Sequence, residues 1–239
     1  MKHSLPALLL LLAASVLPAD AAQFTITPVR IFMTPRDRAV AVTVTNDSDE
    51  EVVMQADLYA WKQRADGSDD LQLTEDLILT PPILKLAPRA RQVVRLARLS
   101  PPPEGVQQTY RLVVREVPEA RSSEQMQLQV ALAFSLPVFI SPPGVKRELQ
   151  CGLERAAPDQ LRALCSNGGN AYAQIRALEV FDARGAKVAA RDVGGYLLPS
   201  VRRSFELRGA DGRIAGGKVK LQVALDDGSL QAFDATLPE

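Results

Sequence analysis

Histidine is almost missing from this chain. The 239 residues contain one, His3, together with two cysteines and one tryptophan. His3 lies inside "MKHSLPALLLLLAASVLPADAA", which has a basic n-region at Lys2, an apolar stretch from Leu8 to Val16 and a small-x-small site at Ala19-Asp20-Ala21. That pattern is expected to be a secretory leader, residues 1–21, removed to leave a chain starting near Ala22. The apolar stretch falls short of the roughly 20 residues a membrane span needs, and nothing later in the chain approaches one, so no membrane insertion of the mature chain is expected. Without His3 the mature chain has no imidazole. This excludes a Ser-His-Asp triad, a Cys-His pair and nearly all catalytic zinc sites.

Other absences narrow the reading further. Lys plus Arg and Asp plus Glu each number 28, so the basic excess that nucleic-acid binding needs is lacking. No Gly-rich phosphate loop occurs. The acidic pairs Asp69-Asp70 and Asp226-Asp227 sit beside Gly or Ser and read as solvated turns rather than as acid/base sites. No enzyme, cofactor or metal site is expected. The two cysteines, Cys151 and Cys165, form an even count in an exported chain, and Ala157-Pro158-Asp159 between them is a turn signal. Two strands joined by that turn bring the cysteines together as a disulfide. The alternatives are two free thiols, or a metal pair with no further ligands.

What the chain does have is alternation. Segments such as Ala39–Thr45, Val52–Trp61, Arg91–Leu96, Thr109–Val117, Lys218–Leu225 and Leu230–Leu237 are separated by clusters of Gly, Pro, Asn, Asp and Ser. Short strands at about 8–12-residue spacing point to β-sandwiches. Ala171–Phe181 has helical propensity, but its flanking Gly-Asn and its neighbours favour a strand. Ser141–Lys146, "SPPGVK", cannot continue a ladder and marks the expected boundary. It separates a first domain at 22–143 from a second at 147–239.

One stripe exceeds a normal strand. Every even position from Met126 through Leu128, Val130, Leu132, Phe134, Leu136 and Val138 to Ile140 is apolar. At about 3.3 Å per residue it would run for roughly 50 Å, far beyond a mean strand of five or six residues. It is either a buried core strand throughout or a strand whose early part serves something else.

Four segments in order resemble the periplasmic chaperones of chaperone–usher pilus assembly. "ILTPPILKLAPRARQVVRL" (Ile78–Leu96) is similar to the family's TPP…VRL stretch. "YRLVVREVP" (Tyr110–Pro118) is similar to its sixth strand, "LQVALAFSLPVFISP" (Leu128–Pro142) to its long seventh, and "CSNGGNAYAQI" (Cys165–Ile175) to the Asn-x-Gly-Asn turn of its second domain. The resemblance implies an all-β chain of two immunoglobulin-like β-sandwich domains joined at an angle. It implies a periplasmic location, pilin or fimbrial subunits as clients and an outer-membrane usher as recipient. The long strand would be the donor strand, lent through Met126, Leu128, Val130, Leu132 and Phe134 to a subunit lacking its own last strand.

On this expectation Leu128, Val130 and Leu132 point into a client and are exposed without one, while Phe134 to Ile140 increasingly serve the home core. The resemblance also implies an arginine on the first strand, matched by Arg30, that holds the subunit's terminal carboxylate. Arg30 shares parity with Phe24, Ile26 and Phe32, unless a register change at Pro28 turns it to the surface. Pro137 stands where the common form has a second basic anchor. "SLPVF" is instead similar to the archaic branch, and Arg111 takes that anchor's role. The rival reading is an exported immunoglobulin-like structural or adhesion module. The two differ in whether the long strand is paired internally along its whole length.

Overall fold

The computed structural model describes residues 24–64, 66–118, 131–209 and 212–239. The leader at 1–21 and the donor-strand positions Met126, Leu128 and Val130 lie outside the described residues. All regular structure among those described is β-strand.

The first domain carries strands β1 (Phe24–Thr27), β2 (Ile31–Met33), β3 (Ala39–Asn46), β4 (Val52–Gln63), β5 (Asp69–Leu73), β6 (Leu77–Thr80), β7 (Ile83–Leu86), β8 (Arg91–Arg98), β9 (Gln108–Glu116) and β10 (Ala133–Ile140). One sheet runs β1-β3-β8-β6, and the other runs β2-β10-β9-β4-β5 with β7 also on β4. Their facing sides alternate as the sequence does. Val42, Val44, Val94 and Leu96 from one sheet meet Met54, Leu58, Leu112, Val114 and Val138 from the other in a single core. Apolar inward and polar outward residues at period two are what two packed antiparallel sheets demand.

The second domain carries β11 (Leu149–Ala157), β12 (Gln160–Asn167), β13 (Ala173–Asp182), β14 (Lys187–Arg191), β15 (Gly195–Leu197), β16 (Arg202–Gly209), β17 (Gly217–Leu225) and β18 (Leu230–Leu237). They follow one continuous path, β11-β12-β16-β14-β13-β17-β18, with β15 on β13. The path curls until β11 and β18 meet around a separate core centred on Leu161, Val180, Phe205, Leu207 and Leu221. From Ala173 onward the Ala171–Phe181 stretch is strand β13, as its context required. Its buried side, with Ile175, Leu178 and Val180, gains more from sheet burial than helix propensity offers.

Each domain pins its strand ends with a buried asparagine. Asn46 Nδ2 donates to the carbonyls of Glu50, Leu86 and Ala87 while its Oδ1 accepts from Ser48. Asn167 Nδ2 donates to the carbonyls of Ala171 and Leu197 while its Oδ1 accepts from the Gly169 amide. A buried amide is stable only when so satisfied, and each one here ties together loops distant in sequence.

The first strand departs from the expected parity. Phe24 and Ile26 are buried, the ladder stops at Thr27, and Ile31 and Met33 are buried again. The chain has crossed from one sheet to the other around Pro28, so the phase inverts. Phe32, and with it Arg30, therefore lies on the opposite side from the core that holds Phe24 and Ile26.

Cys151 and Cys165 are directly opposite in the β11–β12 pair and joined by a disulfide, with Cα atoms 4.1 Å apart. The loop they close spans 14 residues of separation, a constraint worth on the order of 3 kcal/mol on the unfolded chain. The Cys151→Ala/Cys165→Ala variant is expected to lose stability of that order in the second domain's urea transition. An unchanged midpoint would show that the β11–β12 hairpin forms equally well without the bond.

Candidate functional site: the cleft between the domains and the open edge of β10

The register of β10 sets the site. It pairs antiparallel with β9 from Ala133↔Arg115 to Ile140↔Gln108, but on its other side β2 covers only Val138, Phe139 and Ile140. Among the described residues, nothing pairs with that second edge from Ala133 to Pro137. Two bonds fix which groups face it. The Glu116 amide donates to the Leu132 carbonyl, so even-numbered residues direct their main-chain groups to β9. The Ser141 amide donates to the Met33 carbonyl, so odd-numbered residues face β2's side. The N–H and C=O groups of Ala133 and Ser135 therefore line the open edge, while the Pro137 carbonyl faces Ile31, where the β2 ladder begins. Pro137 is tolerated inside a sheet because the N–H it lacks would have pointed away from β9.

Side chains on the same strand face home. Leu136, Val138 and Ile140 are core. Phe134, 38% exposed, sets its ring edge-on to Phe24 with centroids 4.8 Å apart. Leu132 is half-buried against the first-domain core. This corrects the expectation that Leu132 is exposed in the free chain. The ladder to Glu116 carries it on to the domain, and even parity turns it toward the seam between the sheets.

Where β2 begins, the open edge runs into the cleft between the domains. Trp61 at the end of β4, Phe139 of β10 and Tyr172 and Leu198 of the second domain form a third buried cluster, flanked by Tyr196. Phe139 stacks on Tyr172 at 4.0 Å and on Phe32 at 5.6 Å, and Trp61 meets Tyr196 edge-on at 5.2 Å. Amide side chains fasten the rim. Gln63 donates to the Tyr196 carbonyl and accepts from the Leu198 amide, both at 3.0 Å. Gln107 donates to Ser141 Oγ at 3.0 Å and accepts from the Tyr172 amide at 2.9 Å.

Two arginines converge here. Arg30, in the bend before β2, donates through Nη1 to Gln174 Oε1 at 3.1 Å and Asp226 Oδ2 at 2.6 Å. The guanidinium carbon of Arg111 on β9 sits over Trp61, 3.7 Å from the ring centroid, and 5.5 Å from that of Tyr196. Its side chain is 13% exposed, and its one ion pair among the described residues is a long contact of 3.6 Å to Asp69. Burial draws its pKa below the usual arginine value against the opposing pull of Asp69 and Tyr196. A guanidinium nevertheless stays charged, and its donors make no hydrogen bond among the described residues. Burial likewise raises the pKa of the Tyr196 phenol while Arg30 and Arg111 both pull it down, so a neutral hydroxyl lies within electrostatic reach of both cations. Two guanidiniums at the end of an unpaired strand edge form a site suited to a chain bearing a carboxylate.

A family model described as "Pili and flagellar-assembly chaperone, PapD N-terminal domain" matches residues 23–146, more than half of the chain. The chain belongs to this chaperone family. Over 159 residues it is 26% identical to the probable fimbrial chaperone LpfB of Escherichia coli O157:H7, covering 65% of this chain and 62% of LpfB's length. Its fold resembles a chain of the CsuC–CsuE chaperone–tip adhesion subunit pre-assembly complex from the archaic chaperone–usher Csu pili of Acinetobacter baumannii, with TM-score 0.66, 22% identity and coverage of 91% and 100% of the two chains. It also resembles the E. coli chaperone DraB, with TM-score 0.57, 21% identity and coverage of 91% and 97%. The fold class is that of two immunoglobulin-like β-sandwiches.

Within this chaperone fold, Arg30 and Arg111 meet at one cleft, and Leu132 and Phe134 lie on the strand leading to it. Arg115, four residues further along β9 than Arg111, is instead engaged by Asp57 and the Tyr59 hydroxyl on the outer face of the sheet. The sequence reading missed Asp226. Asp227 is the solvated turn residue that it expected, but the Asp226 side chain is only 7% exposed. The Gln107 and Gln63 clips carried no sequence signal either. Gln107→Ala leaves the buried Tyr172 amide without its acceptor, which costs about 1–3 kcal/mol. Urea unfolding is expected to show a loss of that size, and a shift below half a kilocalorie would mean that water replaces the side chain.

Proposed function

We propose that this protein is a periplasmic chaperone that captures pilus or fimbrial subunits by lending them β10 and hands them to an outer-membrane usher, without catalysis or cofactor. The observation that carries the reading is the unpaired edge of β10 from Ala133 to Pro137, running into Arg30. An added strand would draw general affinity from the main-chain groups of Ala133 and Ser135. Its terminal carboxylate would meet Arg30, with Arg111 as the second anchor, a role supported by guanidinium donors that have no hydrogen-bond partner among the described residues. Arg30 immediately precedes Ile31, which is opposite Val138. A client whose chain ends at Arg30 must therefore run in the same direction as β10, in line with β2. Met126, Leu128 and Val130 belong to the proposed donor strand as its continuation. The leader pattern and the disulfide support export to the periplasm.

The rival reading, an immunoglobulin-like adhesion or structural module, expects the long strand to be paired throughout. The uncovered edge favours the chaperone. Two kinds of variant test it by co-purification with a pilin-type subunit expressed in the same periplasm. Ser135→Pro removes a donor that faces the open edge and leaves the β9 ladder intact, so the free protein should melt normally while capture weakens by about tenfold. Phe134→Pro removes a ladder donor and should destabilise the free protein itself. Arg30→Ala should weaken capture by roughly 2–5 kcal/mol. Normal capture by Ser135→Pro would defeat the strand-addition reading, and normal capture by Arg30→Ala would defeat the carboxylate anchor.

A further inference from the structure

The proposed role of Arg30 leaves a buried carboxylate to account for. Asp226 begins the turn between β17 and β18, which Gly228 at φ 84° allows to close. Its amide donates to the Gln174 carbonyl at 3.0 Å, tying the turn to β13. Oδ2 accepts from Arg30 Nη1 at 2.6 Å and from the Tyr172 hydroxyl at 3.3 Å. Oδ1 accepts no hydrogen bond among the described residues and faces Arg147 Nη1 at 3.8 Å. Asp226 and Gln174, both from the second domain, thus take the same nitrogen of a first-domain arginine. The bonds to Gln174 and Asp226 both use Nη1, the Tyr196 hydroxyl is a further close polar neighbour of the guanidinium, and the Arg30 side chain is 34% exposed.

We propose that Asp226 is a positioning residue that holds Arg30 by Nη1, so that the rest of the guanidinium fork is presented to the client's terminal carboxylate. The inference rests on the reading of Arg30 as the anchor. An arginine held in advance has less side-chain freedom to lose when its ligand arrives, which makes binding tighter. The opposite role, in which Asp226 stands in for the client's carboxylate and is displaced by it, fits poorly. At 7% exposure, a displaced Asp226 would remain a buried carboxylate with only Arg147 as a charged neighbour.

The experiment uses the full mature chain and two fluorescent strand peptides of alternating Val and Thr, one ending in a free carboxylate and one in an amide. Binding is read by anisotropy. The wild type should prefer the acid by about tenfold. Asp226→Ala should cut that preference to about twofold while leaving the amide peptide's affinity nearly unchanged, and Asp226→Glu should restore part of it. An unchanged preference in Asp226→Ala overturns the inference. A stronger preference makes Asp226 a competitor, and equal weakening of both peptides makes it a domain-orienting contact; either result also overturns it. Arg30→Ala separates the two levels. If Arg30→Ala loses the preference and Asp226→Ala keeps it, only the positioning role falls. A preference that survives Arg30→Ala, or is absent from the wild type, removes the anchor reading together with this inference.

Discussion

β2 is three residues long, and the site follows from that shortness. It enters the second sheet only at Ile31 and leaves it at Met33, so it covers the outer edge of β10 at Val138–Ile140 and nowhere earlier. A longer crossing would have paired Ala133 to Pro137 and produced an ordinary closed sandwich. Exposed strand edges are usually blunted because they recruit other chains. Here the open stretch is next to a guanidinium and an aromatic cleft, which would give the proposed recruitment a direction and an end point.

The second domain completes the cleft that the first begins. Phe139 belongs to the strand that offers the edge, yet it is buried by stacking on Tyr172. Arg30 leads into that strand's short partner, yet its ion pair is with Asp226 in the far domain. Arg111 is fixed by the ring of Trp61, which in turn meets Tyr196 of β15. Both arginines therefore touch a group that a lone first domain would not have, Asp226 for Arg30 and Tyr196 for Arg111. The amide clips at Gln63 and Gln107 keep the two halves in register, because a buried amide satisfied by backbone at fixed distances tolerates little sliding.

Much of this was readable in the chain because local pattern and tertiary demand agree. β3, β4, β8, β9, β17 and β18 fall where alternation places them, and the turn signals mark the gaps between them. Arg30 and Arg111 were singled out as candidate anchors only through segments that resemble a family. Each miss has a tertiary cause of its own. The parity of Phe32 and Arg30 inverts because the chain changes sheets around Pro28, and alternation can be counted only within one sheet. Leu132 turned out half-buried because a main-chain bond to Glu116 extends its ladder. Asp226 looked like a turn acid because its neighbours Asp227, Gly228 and Ser229 do form such a turn.

The sequence by itself determined the class of fold, the order of most strands, the disulfide partners and the apolar stripe of β10. Each of these depends on spacing along one chain, which is local information. Only the tertiary structure decided which edge of β10 stays open, which acid meets Arg30, and that Arg111 meets both Trp61 and Tyr196. Those facts depend on residues up to 196 positions apart. Their proximity is set by how two sandwiches pack against each other, and no periodicity within either one records it.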